Sequence, residues 1–132
     1  MPSIFTRIIR REIPAHIVAE DDQCIAFLDI NPLVLGHTLI VPKKEVDYIF
    51  ELDDSTLTAL HLFAKKVALA IGEAVPCARI GVSVVGLEVP HTHVHLIPMN
   101  SADDLNFTRP KLKPTQEELK EVAGRIRKAL TA

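Results

Sequence analysis

The hydrophobic period of this chain changes along its length, and that change limits the fold more than any other feature. From Asp53 to Val75, Leu57, Leu60, Phe63 or Ala64, Val67 and Ile71 recur at steps of three and four, which places them on one face of a helix. Asp53, Asp54 and Ser55 offer N-caps and Pro76 stops the run, so a helix is predicted over about 54–74. A second helix is predicted over about 115–130: Thr115 and Glu118 form a T-x-x-E capping box, and Leu119, Val122, Ile126 and Leu130 share a face. Elsewhere the apolar runs are short. "HIVAE", "CIAFLD", "HTLIVP", "ARIGVSVV" and "EVPHTHVHLIP" read as strands, punctuated by "DDQ", Asn31-Pro32, Gly36, Pro42 and Gly86. Strands, one long helix, two more strands and a terminal helix predict an α+β domain: a five-stranded antiparallel sheet with helices on one side. Between the last strand and the last helix, "MNSADDLNFTRPKLKP" reads as a long polar loop.

At 132 residues the chain is expected to be a single domain with its own core. A formal net charge of -2 gives no overall pull toward nucleic acid or anionic lipid. No run approaches the roughly 18 apolar residues of a membrane span. Arg7, Arg10 and Arg11 lie near the start, but no apolar signal region accompanies them and acidic residues follow closely, so a cytoplasmic protein is expected. Cys24 and Cys77 form no pair with disulfide or zinc spacing and read as packing residues. Neither a P-loop nor a dinucleotide-binding glycine motif is present, so nucleotide binding would use other means.

Three of the six histidines stand at alternate positions in "EVPHTHVHLIP". In a strand His91, His93 and His95 would share one face, with Thr92, Val94 and Leu96 on the other. At about 3.3 Å per residue the outer two would stand roughly 13 Å apart, too far for all three to hold one ion at about 2 Å. Two of them with His16, His37 or Glu88 as a third ligand would make a metal site. A histidine patch without chemistry is another reading. The third is a phosphate site. A neutral imidazole is a nucleophile at neutral pH, and its neighbours in the row can donate to phosphoryl oxygens as charge builds. His93, in the middle, would attack through one nitrogen while its proton on the other met a carbonyl or carboxylate. His16 and His61 read as structural.

These residues resemble the histidine triad (HIT) family of nucleotide hydrolases and transferases, whose signature is H-φ-H-φ-H-φ-φ with φ apolar. "HTHVHLI" fits it except at Thr92, and "IFTRIIRREIPAHIVAEDDQCIAFLDINPLVLGHTLIVPKK" resembles the N-terminal half of the branch of histidine triad nucleotide-binding proteins. The resemblance covers residues 4 to about 99, leaving 100–132 as a C-terminal loop and helix. It implies a HIT-like fold and a homodimer whose two sheets join into one of ten strands. It implies His93 as the nucleophile at the α-phosphorus, forming a nucleotidyl-histidine that water resolves. His95 would contact the phosphate and departing group, His91 would orient the row, and His37 would stand behind it. Asp29 would hold the ribose, and Ile4, Phe5, Ile8, Phe27 and Ile30 would line a purine pocket. No cofactor, metal, nucleic acid or membrane partner is implied.

The chain departs from that branch just before the triad. Relatives carry N-x-G-x-x-x-G-Q-[ST]-V, whose Asn, Gln and hydroxyl residue serve the phosphate and leaving group. Here Gly86 is kept, Leu87 stands for the glutamine, Glu88 for the hydroxyl and Ile80 for the asparagine, with Ser83 nearby. The resemblance thus implies that Glu88 would stand at the nucleotide site and add a negative charge beside an anionic substrate. Met99 and Asn100 stand where arginine or glycines often follow. The third histidine, where the transferase branch has glutamine, implies hydrolysis. The expected function is cleavage of an α-phosphorus bond in a purine nucleotide conjugate: a phosphoramidate, dinucleoside polyphosphate or acyl-adenylate. A non-catalytic nucleotide-binding dimer and a metalloenzyme using two triad histidines are the alternatives.

Overall fold

The first turn is made by one carboxylate. Asp21 Oδ1 accepts from the backbone N–H groups of Gln23 and Cys24 at 2.9 and 2.8 Å, closing the hairpin of β1 (Ile17–Glu20) and β2 (Cys24–Leu28). A computed structural model describes residues 1–131. After β2 come β3 (Thr38–Pro42), β4 (Arg79–Ser83) and β5 (Val94–Met99), in the antiparallel order β1-β2-β3-β5-β4. The five-stranded antiparallel sheet of an α+β fold is as expected, and β5 lies between β3 and the edge strand β4.

Three helices accompany the sheet: α1 (Ile4–Ile9), α2 (Asp54–Ala74) and α3 (Gln116–Thr131). Asp53 caps α2 by accepting from Thr56 N–H at 2.8 Å, and Val75, just before Pro76, closes its last turn on Ile71. Thr115 and Glu118 form the expected reciprocal box at the start of α3, at 2.9 and 3.1 Å. Both helices bury the stripes read from the sequence: Leu60, Phe63, Val67 and Ile71 on α2, and Leu119, Val122 and Ile126 on α3. They meet Ala26, Leu28, Ile40, Val94 and Leu96 on one face of the sheet.

The expectation of helices on one side is corrected by α1. Phe5 and Ile8 pack on the opposite face, against Ile25, Phe27, Leu39 and Val41. Covered on both faces, β2 and β3 are buried at every position, which is why they read as continuous apolar runs and not as alternating ones. The last strand is also shorter than expected: β5 begins at Val94, so His95 alone of the triad belongs to the ladder. Its partner β3 ends at Pro42, which has no N–H to offer. The groups before Val94 turn elsewhere: His91 N–H donates to Val89 O, and both the N–H and the hydroxyl of Thr92 donate to Val46 O.

Candidate active site

His95 pairs with Leu39 across the β3–β5 ladder, which places it on the α1 face of the sheet. The rings of His93 and His95 lie on the same side, 4.9 Å apart between centroids. His37, one residue before β3, lies behind them, its Nε2 2.9 Å from His95 Nδ1. The loop from Asp29 to His37 is folded around that ring. Asp29 N–H donates to His37 O, His37 N–H to Val34 O, and Leu33 N–H to His37 Nδ1 at 3.1 Å. Gly36, at φ 103°, allows the turn into β3; a Cβ there would also press on Val75 and Pro98.

Hydrogen-bond partners settle where each ring proton sits. His37 Nδ1 accepts from Leu33, so the neutral ring carries its proton on Nε2 and donates it to His95 Nδ1. His95 in turn carries its proton on Nε2. His93 Nδ1 faces the carbonyl of His91 at 2.7 Å and must donate, which leaves a lone pair on Nε2. His91 uses both nitrogens. Nε2 donates to Pro42 O at 2.8 Å, and Nδ1 accepts from the Ser3 hydroxyl at 2.7 Å. Among the described residues no fully buried side-chain nitrogen or oxygen lacks a partner. Among the described residues the Nε2 atoms of His93 and His95 have no hydrogen-bond partner and are not sealed from solvent, so both reach the open cleft.

Burial reinforces these assignments. It pushes His37 down to about 3 and His95 down to about 4, each with further repulsion from neighbouring imidazoles and Lys111, and it lowers His91 too. At neutral pH the three rings are therefore uncharged. Burial raises Asp29, which remains opposed by Lys111. One oxygen of Asp29 accepts from Asn31 N–H at 2.9 Å, the turn role open to any Asp before I-N-P. The other lies 3.9 Å from His37 Nε2.

The cleft, about 210 Å³, is lined by Asp29, His37, His93, His95, Glu88 and the segment Val85, Gly86 and Leu87, together with Phe107 and Lys111. Of the residues expected in a nucleotide pocket, Asp29 and Glu88 are brought to it. Phe5, Ile8 and Phe27 form the buried core under α1, with the Phe5 ring edge-on to Phe27 and to His93 at 5.4 and 4.9 Å. Ile4 and Ile30 are exposed and do not line the cleft. His16 and His61 lie apart from it, His16 holding Gln116 at the start of α3.

Sequence reasoning missed Phe107 and Lys111. Phe107 stacks edge-on against His95 at 4.8 Å and His37 at 6.3 Å. A lone aromatic inside a polar loop was the available signal. Also missed were Ser3 and Glu45: Glu45 accepts from Ser3 N–H at 2.8 Å and from the Thr6 hydroxyl, tying the N-terminus to the partner of His91.

Asp29, His37 and His95 offer three ligand atoms within 4.8 Å of one another. They do not fit a metal ion as they stand, because the proton of His37 Nε2 occupies the space between the two rings and Leu33 N–H takes the other nitrogen. The arrangement sets an imidazole nitrogen with an open lone pair, His93 Nε2, beside a hydrogen-bond donor, His95 Nε2–H.

A histidine row led into an antiparallel sheet, with a fourth histidine behind its last member, defines a histidine triad protein. Residues 10–102 match the family model described as HIT domain, and the chain belongs to the HIT family. An uncharacterised HIT-like protein of Borreliella burgdorferi is 37% identical over 131 residues, covering 93% of this chain and 94% of the relative. An adenosine 5'-monophosphoramidase of Schizosaccharomyces pombe is 33% identical over 128 residues, covering 96% of each. The solved structure of a HIT-like protein from Bartonella henselae superposes with a TM-score of 0.83 at 35% identity, covering 96% of this chain and 95% of that one.

Proposed function

We propose that this protein is a nucleotide hydrolase that cleaves an α-phosphorus bond of a purine nucleotide conjugate through a nucleotidyl-histidine at His93. Membership of the HIT family and the likeness to a monophosphoramidase support hydrolysis of a nucleotide. The observation that carries the finer reading is the His93 ring: Nδ1–H is held by the His91 carbonyl while Nε2 presents its lone pair to the cleft.

In this mechanism Nε2 of His93 forms a bond to the α-phosphorus as the bond to the departing group breaks with its electron pair. His95 Nε2–H donates to a phosphoryl oxygen in the crowded transition state, and His37 holds His95 in that tautomer. His91 acts through its carbonyl and is itself locked by Ser3 and Pro42. Water then attacks the phosphorus and releases His93. Asp29 Oδ2 accepts from the ribose hydroxyls at the cleft wall. The working unit is a homodimer joined through β4, whose edge carries exposed Val82, with Val84 and Val85 just beyond. Light scattering should return twice the 14.6 kDa chain mass; a monomer would remove the ten-stranded sheet from the reading.

His93→Ala, checked for folding by circular dichroism, should abolish turnover of adenosine 5'-phosphoramidate and diadenosine triphosphate. Acid-quenched wild-type protein should carry one nucleoside monophosphate on the peptide containing His93. Persistent turnover in the variant sinks the mechanism. The replacement of polar leaving-group residues by Leu87 and Glu88 favours one second reading, a nucleotide-binding dimer without efficient catalysis. Tight AMP binding with no adduct and no turnover would select it.

A further inference from the structure

The cleft has little positive charge for a phosphate site. Asp29 and Glu88 line it with carboxyl groups, while His37 and His95 are buried as neutral rings. Val85 and Leu87, which also line it, carry no charge. Phosphoryl transfer needs positive charge or aimed donors where negative charge gathers. Among the described residues lining the cleft, Lys111 is the one lysine or arginine.

The position of Lys111 is built, although its side chain is exposed. Arg109 clamps the loop, donating to Leu33 O at 2.9 Å and to Asp103 and Asp104 at 3.1 and 3.2 Å. On the other side Leu112 N–H donates to Pro32 O at 2.8 Å. Both flanks of Lys111 are thus bound to the segment that carries Asp29 and His37. Its ammonium rests on the carbonyls of Phe107 and Arg109 and stands 5.9 Å from the centre of the Phe107 ring, which itself stacks on His95. Neutral carbonyls hold an ammonium less strongly than a phosphate does, so an incoming phosphate can take Lys111 from this perch.

Resting on the phosphoryl-transfer reading above, we propose that Lys111 is the leaving-group cation of the cleft. It selects substrates whose departing part is itself a phosphate chain, that is, dinucleoside polyphosphates over uncharged amine conjugates. When His93 attacks, the bridging P–O bond breaks toward the departing oxygen. The leaving phosphate goes as an anion and needs no proton, while Lys111 Nζ donates to its oxygens. An uncharged amine carries no anionic oxygens for Lys111 to hold, so it gains nothing from that cation.

The test compares kcat/KM for diadenosine triphosphate and adenosine 5'-phosphoramidate in the full chain and in Lys111→Met, Lys111→Arg and Lys113→Met. In Lys111→Met the ratio of the two constants should fall at least about tenfold, the loss carried by one charge-assisted hydrogen bond. Lys111→Arg should restore most of the ratio, and Lys113→Met, an exposed lysine of the same loop, should leave it in place. An unchanged ratio in Lys111→Met, or an equal fall in Lys113→Met, overturns the proposal. Calorimetric binding of ADP and AMP gives a readout without turnover. Lys111→Met should remove the preference for ADP even if no variant, nor the wild type, is a hydrolase, which would refute the reaction alone. A preference that survives in Lys111→Met, or is missing from the wild type, overturns the role of Lys111.

Discussion

The buried pair His37 and His95 makes stability depend on pH in a way that can be worked out. Both rings have folded values pushed well below the ordinary 6.5, to about 3 and about 4, by burial first and neighbouring charge second. The sign follows directly. The unfolded chain binds protons at these two sites around pH 6.5 and the folded chain does not, so their contribution is complete above 6.5 and is lost as pH falls toward the folded values. At pH 5 the loss per ring is about 2 kcal/mol relative to pH 7.5, set by the distance from 6.5 down to 5 at 1.36 kcal/mol per unit. It does not depend on how far below 5 the folded values lie. Two rings together therefore cost about 4 kcal/mol, a large part of a typical stability of 5–15 kcal/mol. Urea unfolding at both pH values measures this. In His37→Asn, which keeps an acceptor and a donor but no titrating ring, the pH-dependent loss should shrink by about 2 kcal/mol. Nitrogen-15 shifts of the imidazoles should show His37 and His95 neutral and protonated on Nε2 down to pH 5. An imidazolium signal from either at pH 5, or an undiminished loss in His37→Asn, refutes the tautomer chain from Leu33 to His95.

Ser3→Ala removes the hydroxyl that serves Nδ1 of the fully buried His91 and also the cap of α1, and should cost roughly 2 kcal/mol in urea unfolding. Ser3→Thr should recover most of it, and recovery by alanine alone would mean that Thr6, 3.4 Å from the same nitrogen, already suffices. Prolonged treatment with a chelator should leave turnover unchanged, because both ring nitrogens of His37 are committed, Nδ1 to the backbone N–H of Leu33 and Nε2 to the proton it gives His95. Loss of turnover reversed by zinc would show that a metal displaces that proton.

The parts of the fold that were legible in the sequence are those specified within a few residues. The caps at Asp53 and Thr115 and the stripes of α2 and α3 lie inside single helices, so period and spacing reveal them. Helix α1 is not of that kind. It has six residues, with β-branched Ile4, Thr6, Ile8 and Ile9 among them, and so little intrinsic helical preference. Its helix depends on Phe5 and Ile8 docking on β2 and β3, a tertiary fact. The histidine row divides in the same way. Alternation told correctly that His93 and His95 open on one side, but the ladder that was to carry them stops at Val94, because Pro42 ends the neighbouring strand and Thr92 is held by Val46 instead. What makes the row chemically specific is longer in range still. Ser3 reaches His91 across 88 positions, and Arg109 holds the carbonyl of Leu33 across 76. Leu33 thereby joins two functions: its carbonyl anchors the loop that presents Phe107 and Lys111, and its N–H fixes the proton of His37. One peptide segment thus couples the cleft wall to the tautomer of His95. A pattern of residue types can mark which side chains face a site, whereas the proton on each ring is decided by backbone groups that every residue possesses.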